Sequence, residues 1–321
     1  MPSRLFPRPL VARAAFASLL AVAASLALSI TTSPASAAKA AHPPAPLPII
    51  GRWDVTVSGP GYEFPAWFEL REEAAGLTMY FTGRFGAPAA VPYVEWDGSH
   101  LEFRFETAHR WRGTFNGRWF TGTTGGEDET WIAERAPRLE PVDVHWGKPE
   151  PLFDGRTLTG WRPRHAGSDH GWRASDGVLS NLFAGDDLVS LATFTNFKLS
   201  LQFRLQPHSD SGVHLRGRYE VQLSDKPDEA GAPGVTGAIF GQVAPSRTVS
   251  CTAGMWHTLE VTLVGREVTV VLDATTVIDR KTINGITGDA LDSHEGKAGP
   301  IMLQGYLGKV EFRKLEIRRG S

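Results

Sequence analysis

The sequence predicts an all-β protein, with a small N-terminal antiparallel β-barrel or sandwich followed by a larger sandwich of long strands. Three observations lead there. Short runs rich in aromatic and β-branched residues are punctuated by glycine, proline and asparagine. Later segments alternate strictly between apolar and polar residues, the signature of half-buried strands. No segment sustains a helical period, so helices are expected to be few and short.

The chain opens on Arg4, Arg8 and Arg13, the apolar run "AAFASLLAVAASLALSI" and the small-residue pattern Ala35-Ser36-Ala37. Residues 1–37 therefore read as a secretory signal peptide, since the run is short for a bilayer crossing and a cleavage-like site follows it. The mature chain is expected to begin near Ala38 and to be secreted or periplasmic, with no membrane span. Residues 38–48, "AKAAHPPAPLP", read as a semi-extended linker.

Residues 49–136 supply the small barrel-like unit through "RWDVTV", "AWFELRE", "LTMYFTGRF", "LEFRFE" and "TWIAER". In "FNGRW", Asn116-Gly117 suits a tight hairpin turn. The opening "GRWDV" resembles the Gly-x-Trp start of lipocalin-like barrels, and the expected role of this unit is to prop up its neighbour. Residues 137–150 are proline-rich and aperiodic, marking a linker. Beyond them "FKLSLQFRLQ" alternates cleanly, and "HTLEVTLVGREVTVVLD" reads as two strands joined at Gly265-Arg266. "KVEFRKLEI" slips phase at Lys314-Leu315 as a bulge would.

Charge and cysteine content narrow the function classes. Losing the three leader arginines moves the formal charge from -2 to about -5, so there is no basic footprint for nucleic acid. Cys251 is the single cysteine, which excludes an internal disulfide and reads as small buried filler. The ten histidines never fall in a His-x-x-x-His pattern. No cofactor is expected. Acid-rich loops near Asp186, Asp225 and Asp292 offer oxygen ligands for a divalent ion such as calcium, but solvated turns are the favoured reading.

"VHLRGRYEVQL" (213–223) sets His214, Arg216, Arg218, Glu220 and Gln222 on alternate positions, with mostly apolar residues between them. In an extended chain this sends the polar set to one face, for binding or for solvent. A continuous or bulged strand is the preferred reading. A hairpin turn at Gly217-Arg218 would leave His214 and Glu220 free to part company.

"LFDGRTLTGW", "GWRASDGVL", "SDSGVHLRGRYEVQLSD", "TGAIFG", "GMWHTLEVTLVG" and "ITGDALDSHEGKAGPIMLQGYLGKVEFRKLEI" occur in this order across residues 151–318. Together they resemble the 3-keto-disaccharide hydrolase family, and the preceding unit is similar to the small β-domain found before this module in some members. The resemblance implies a concanavalin A-like jelly roll binding saccharide on a concave sheet face, with the polar stripe lining it. It further implies cleavage of 3-keto-glycosides. The ketone acidifies the C2 hydrogen, so a base can remove it, a donor can steady the enolate and an acid can assist the leaving oxygen.

From residue chemistry, Glu220 or His214 is the expected base, Arg216 or Arg218 the enolate partner, and Asp225 the acid. Gln222, Gln304, Asp210 and Trp256 are expected sugar contacts. Trp161 and Trp172 read as core anchors more than as platforms. Neither the carboxylate triplet of retaining glucanases nor a Gly-x-Ser-x-Gly elbow is present. The chain departs from the family in having Asp210-Ser211-Gly212 for Asn-Ser-Gly and Arg313-Lys314 for Arg-Asn. Gln304-Gly305-Tyr306-Leu307-Gly308 stands for Gln-Gly-Asp-His-Gly. A non-catalytic carbohydrate-binding protein of the cell envelope is the alternative.

Overall fold

The computed structural model describes residues 47–105, 110–126, 128–225, 234–305 and 308–321. The leader expectation and the departures at Tyr306 and Leu307 lie outside the described residues. Every named element among those described is a strand, and none is a helix long and apolar enough to cross a membrane.

Nine antiparallel strands from Gly51 to Arg135 form one sheet, in which strand Gly51–Gly59 pairs with both Tyr62–Glu73 and Thr130–Arg135. The meander thus curls until its first and last long strands meet, as an up-and-down barrel does. Alternation in the opening strand buries Trp53, Val55 and Val57. They join Phe68, Phe103, Phe120 and Trp131 in an aromatic core where Trp53 meets Phe120 edge-on at 4.8 Å. The hairpin at Asn116-Gly117 closes with Phe115 opposite Phe120, Asn116 Oδ1 accepting the Trp119 N–H at 2.9 Å.

Two further sheets face each other as a jelly-roll sandwich, of eight strands and of five. Strand Asn196–Leu205 turns Phe197, Leu199, Leu201, Phe203 and Leu205 inward, opposite Leu259, Val261 and Leu263 of His257–Val264. The phase slip near Lys314 is a bulge. Lys314 has φ 52°, and the register of Val310–Gly320 against Asn196–Leu205 shifts there. Cys251 lies half-buried against this core.

The barrel packs directly against the sandwich. Trp67 buries its indole in the sandwich core and donates Nε1–H to the Ile286 carbonyl at 2.6 Å. Polar residues on the outward face of Gly51–Gly59 meet the sandwich as well. Thr56 bonds Ser293 at 2.9 Å, and burial beside Glu295 pushes the Asp54 carboxyl up to about 10. Glu295 itself receives both arms of Arg266, at 3.0 and 2.6 Å, and the Tyr219 hydroxyl at 2.7 Å. Along this contact the loop between Gly76–Thr82 and Ala89–Ala90 lies over the five-stranded sheet, with Asp289 N–H donating to the Arg84 carbonyl at 2.8 Å.

Candidate functional site

Strands Asp210–Leu215 and Tyr219–Ser224 are the arms of a hairpin, which corrects the continuous strand expected across 213–223. The turn forms because Arg216 and Gly217 both take left-handed backbone (φ 54° and 66°), and Arg218 N–H donates to the Leu215 carbonyl at 3.1 Å. Glycine at the second position makes that geometry cheap. A side chain there would also strike Leu291, whose Cδ1 lies 2.5 Å from an ideal Cβ.

The hairpin keeps His214 and Glu220 together after all. They pair directly across the strands, and directly opposed residues share a face. The same register puts Gln222 opposite Gly212 and Ser224 opposite Asp210. Polar residues of both arms therefore make one patch, while Val213, Leu215, Tyr219, Val221 and Leu223 enter the core. Gly212 is needed for this arrangement, because the Glu220 side chain leans across it with Cγ 2.7 Å from where a Cβ would stand.

Above the patch is a cavity of about 420 Å³ lined by Asp210, Glu220, Gln222, Phe240, Asp289 and Gln304, with Phe85 and Gly86 of the barrel loop at its wall. Gln222 donates to Asp210 at 2.5 Å, and Gln304 N–H holds the Gly212 carbonyl at 2.9 Å. The segment after the hairpin covers its free edge, Phe240 N–H donating to the Glu220 carbonyl at 3.0 Å.

The surroundings of Glu220 suit a proton donor better than the base expected from the sequence. Glu220 is 4% exposed. Burial, and then the neighbouring Asp289, Asp210 and Asp187, push its carboxyl well above the usual range, which favours the protonated form. Among the described residues no arginine pairs with its carboxyl. Arg216 turns away to the Gly265 carbonyl at 2.5 Å and over the Tyr219 ring. Arg218 binds Asp292 at 2.7 Å and the Lys297 carbonyl at 2.9 Å. Both leave the stripe because they sit at the hairpin bend, where the two-residue alternation ends.

His214 is fully buried, and its Nε2 lies 4.0 Å from Glu220 Oε2, beyond hydrogen-bond distance. Burial and the charge of Arg164 hold it down at about 3, neutral and out of reach of a substrate. It stands behind Glu220 rather than serving as a cavity-lining base. Asp225 caps a turn by accepting the His208 N–H and does not line the cavity. Trp256 lies between Arg204 and Arg313, whose guanidinium carbons stand 4.7 and 4.0 Å from its ring centroid. Those arginines belong to the eight-stranded sheet, so Trp256 is on the wrong sheet for this cavity. Trp161 and Trp172 anchor cores by donating to the Leu152 and Asp186 carbonyls.

Sequence reasoning missed Arg164, Asp187 and Asp289. Arg164 Nη1 bonds Asp187 at 3.1 Å and Asp289 at 2.7 Å, and its Nη2 bonds the Ala290 carbonyl at 3.1 Å. Burial first, and Asp289 next, push Asp187 up to about 6 against the pull of Arg164 and the Gly305 N–H. Asp289 sits in left-handed backbone (φ 63°), a conformation that for a non-glycine residue marks local strain. The two acids stand in "AGDDL" and "GDALDSHEG", the loops read as solvated turns. Asp186 and Asp292 are spent on His165 and Ser168 and on Arg218 and His294. Among the described residues no group of three or more histidine, cysteine or acidic side chains is placed to hold a metal ion.

Residues 148–318 match the model of the 3-keto-alpha-glucoside-1,2-lyase-like domain. Among solved structures, a glycosyl-hydrolase-like protein from Parabacteroides distasonis is 24% identical, covering 56% of this chain and 93% of its own at a TM-score of 0.47. A second from the same organism is 23% identical, covering 54% and 100% at 0.44. Carbohydrate binding module CBM66 from Bacillus subtilis is 15% identical, covering 49% and 93% at 0.34. No curated protein matches the chain.

Proposed function

The chain belongs to the 3-keto-alpha-glucoside-1,2-lyase-like domain family, and from that membership we propose that it cleaves the glycosidic bond of sugars carrying a ketone at C3. The observation that supports this reading is the split among the cavity's carboxyl groups. Burial and neighbouring acids push the Glu220 carboxyl up and favour its protonated form, while Asp289, in the same cavity, is paired with Arg164. Acid and base roles follow from titratable groups whose environments separate them.

In the reaction, Asp289 removes the C2 proton and the C–H electron pair moves into an enolate on the C3 oxygen. An amide donor such as Gln304 steadies that oxygen. The enolate then expels the C1 substituent, whose oxygen takes its proton from Glu220, leaving an enone. Water adds to the enone to complete net hydrolysis. Asp210 and Gln222, already bonded to each other, hold sugar hydroxyls at the cavity floor. The leader motif supports the further proposal that this activity is exported, which N-terminal sequencing of exported protein tests by returning a start near Ala38.

The central experiment incubates purified protein with 3-keto-disaccharides and with their unoxidised parents, in light and heavy water. Cleavage confined to the keto forms, with deuterium entering at C2, is the expected result. Cleavage of the parents at similar rates would sink the elimination chemistry, and binding without turnover would leave a carbohydrate-binding protein.

A further inference from the structure

The loop at residues 83–88 belongs to the barrel, outside the matched family module, yet it borders the cavity. Its tip is Phe85, 62% exposed. A single exposed apolar side chain is ordinary. This one stands on a loop whose backbone is held in place. Asp289 N–H bonds the Arg84 carbonyl at 2.8 Å, and the sandwich presents glycines where the loop backbone passes closest. An ideal Cβ on Gly288 would stand 2.6 Å from Gly86 N, and one on Gly241 would stand 2.5 Å from Ala87 Cβ. On its other side the Arg84 guanidinium packs 5.1 Å from the Phe85 ring centroid.

Phe85 also borders a second hollow of about 270 Å³, lined by Arg84, Arg164, His165, Asp186 and Asp187, and Asp289 is common to both spaces. The two hollows thus adjoin at the Phe85 ring. The first has the carboxyl groups assigned to bond cleavage. The second offers charged and hydrogen-bonding groups at its walls, as sugar hydroxyls require, and aromatic faces stack against the C–H faces of a pyranose.

We propose that the barrel loop completes the saccharide groove, with Phe85 as the stacking platform and the 270 Å³ hollow as the subsite for the leaving-group sugar. This rests on the proposed cleavage reaction and adds to it a preference. The protein acts on disaccharides in which a second ring follows the keto sugar, in preference to glycosides with a small leaving group. The barrel is thereby a specificity element of the active site, built by a domain outside the catalytic module.

The test compares Phe85→Ala, Phe85→Leu and Phe85→Trp with the native protein on a 3-keto-disaccharide and on methyl 3-keto-glucoside. Phe85→Ala and Phe85→Leu are expected to lower kcat/KM for the disaccharide at least tenfold and to change the methyl glycoside less than twofold. Phe85→Trp, which keeps a ring face, should retain most of the disaccharide activity. An exposed residue contributes little to stability, so the melting temperature of all three should stay near that of the native protein. Equal losses on both substrates, or no loss on either, would overturn the subsite while leaving the cleavage reaction standing. If the native protein turns over neither substrate, the same variants are read by calorimetry. Weaker binding of the disaccharide alone supports the platform, and unchanged or absent binding overturns it.

Discussion

Replacing Glu220 by glutamine separates the neutral-acid role from every alternative. Glutamine copies the shape and hydrogen-bonding edge of a protonated glutamate but has no proton to give. The cost of losing a positioned proton donor is a factor of about 10² to 10⁴ in rate. Stability should move the other way.

Glu220 has a folded value well above its ordinary 4.5, so the folded state holds a proton that the unfolded state has already released. The native protein then loses stability as pH rises above the ordinary value, by about 1.4 kcal/mol per pH unit until the folded value is reached. At about 2–4 °C per kcal/mol, that is about 3–6 °C of melting temperature per pH unit. Glu220→Gln removes this dependence. Calorimetric melts of both proteins at half-unit steps from pH 5 to 8, beside single-turnover rates on a 3-keto-disaccharide, measure the two effects together. Parallel melting curves would refute the buried neutral carboxyl, and native-like turnover would remove Glu220 from proton transfer.

Gly212→Ala should lower turnover about as severely as Glu220→Gln, because the new methyl displaces the Glu220 side chain that leans over Gly212. A structure or rate showing Glu220 undisturbed would refute it. Arg164→Met strands Asp187 and Asp289 in buried positions, so a loss of about 3–5 kcal/mol is expected in denaturant melts. Asp54→Asn should raise stability increasingly as pH climbs from about 5 to 8. Burial beside Glu295 lifts Asp54 to about 10, and its folded form keeps a proton that the unfolded chain gives up. A pH-independent difference between the two proteins would contradict that.

Much of the fold was legible in the chain. Alternation in "FKLSLQFRLQ" named each inward residue of its strand, and the slip at Lys314-Leu315 announced a bulge that is present. The hairpin at Gly265-Arg266 and the barrel's aromatic interior were equally visible. These features obey the two-residue period of the pleat, which each strand carries locally.

The site was half legible. His214, Glu220, Gln222, Asp210 and Gln304 were found because they share a strand period or a motif. The upward push on the Glu220 carboxyl was not, because ionisation is set by whichever charges tertiary folding brings near, and the arginines adjacent in sequence turned out to leave at the bend. Asp289 and Asp187 could not be told from solvated turns until Arg164 closed on them. Nor did any local pattern show that a barrel loop would wall the cavity or that Trp67 would enter the sandwich core. Such contacts depend on how two separately patterned surfaces meet. A sequence marks which side of a strand is apolar, but not which distant segment will cover its polar side.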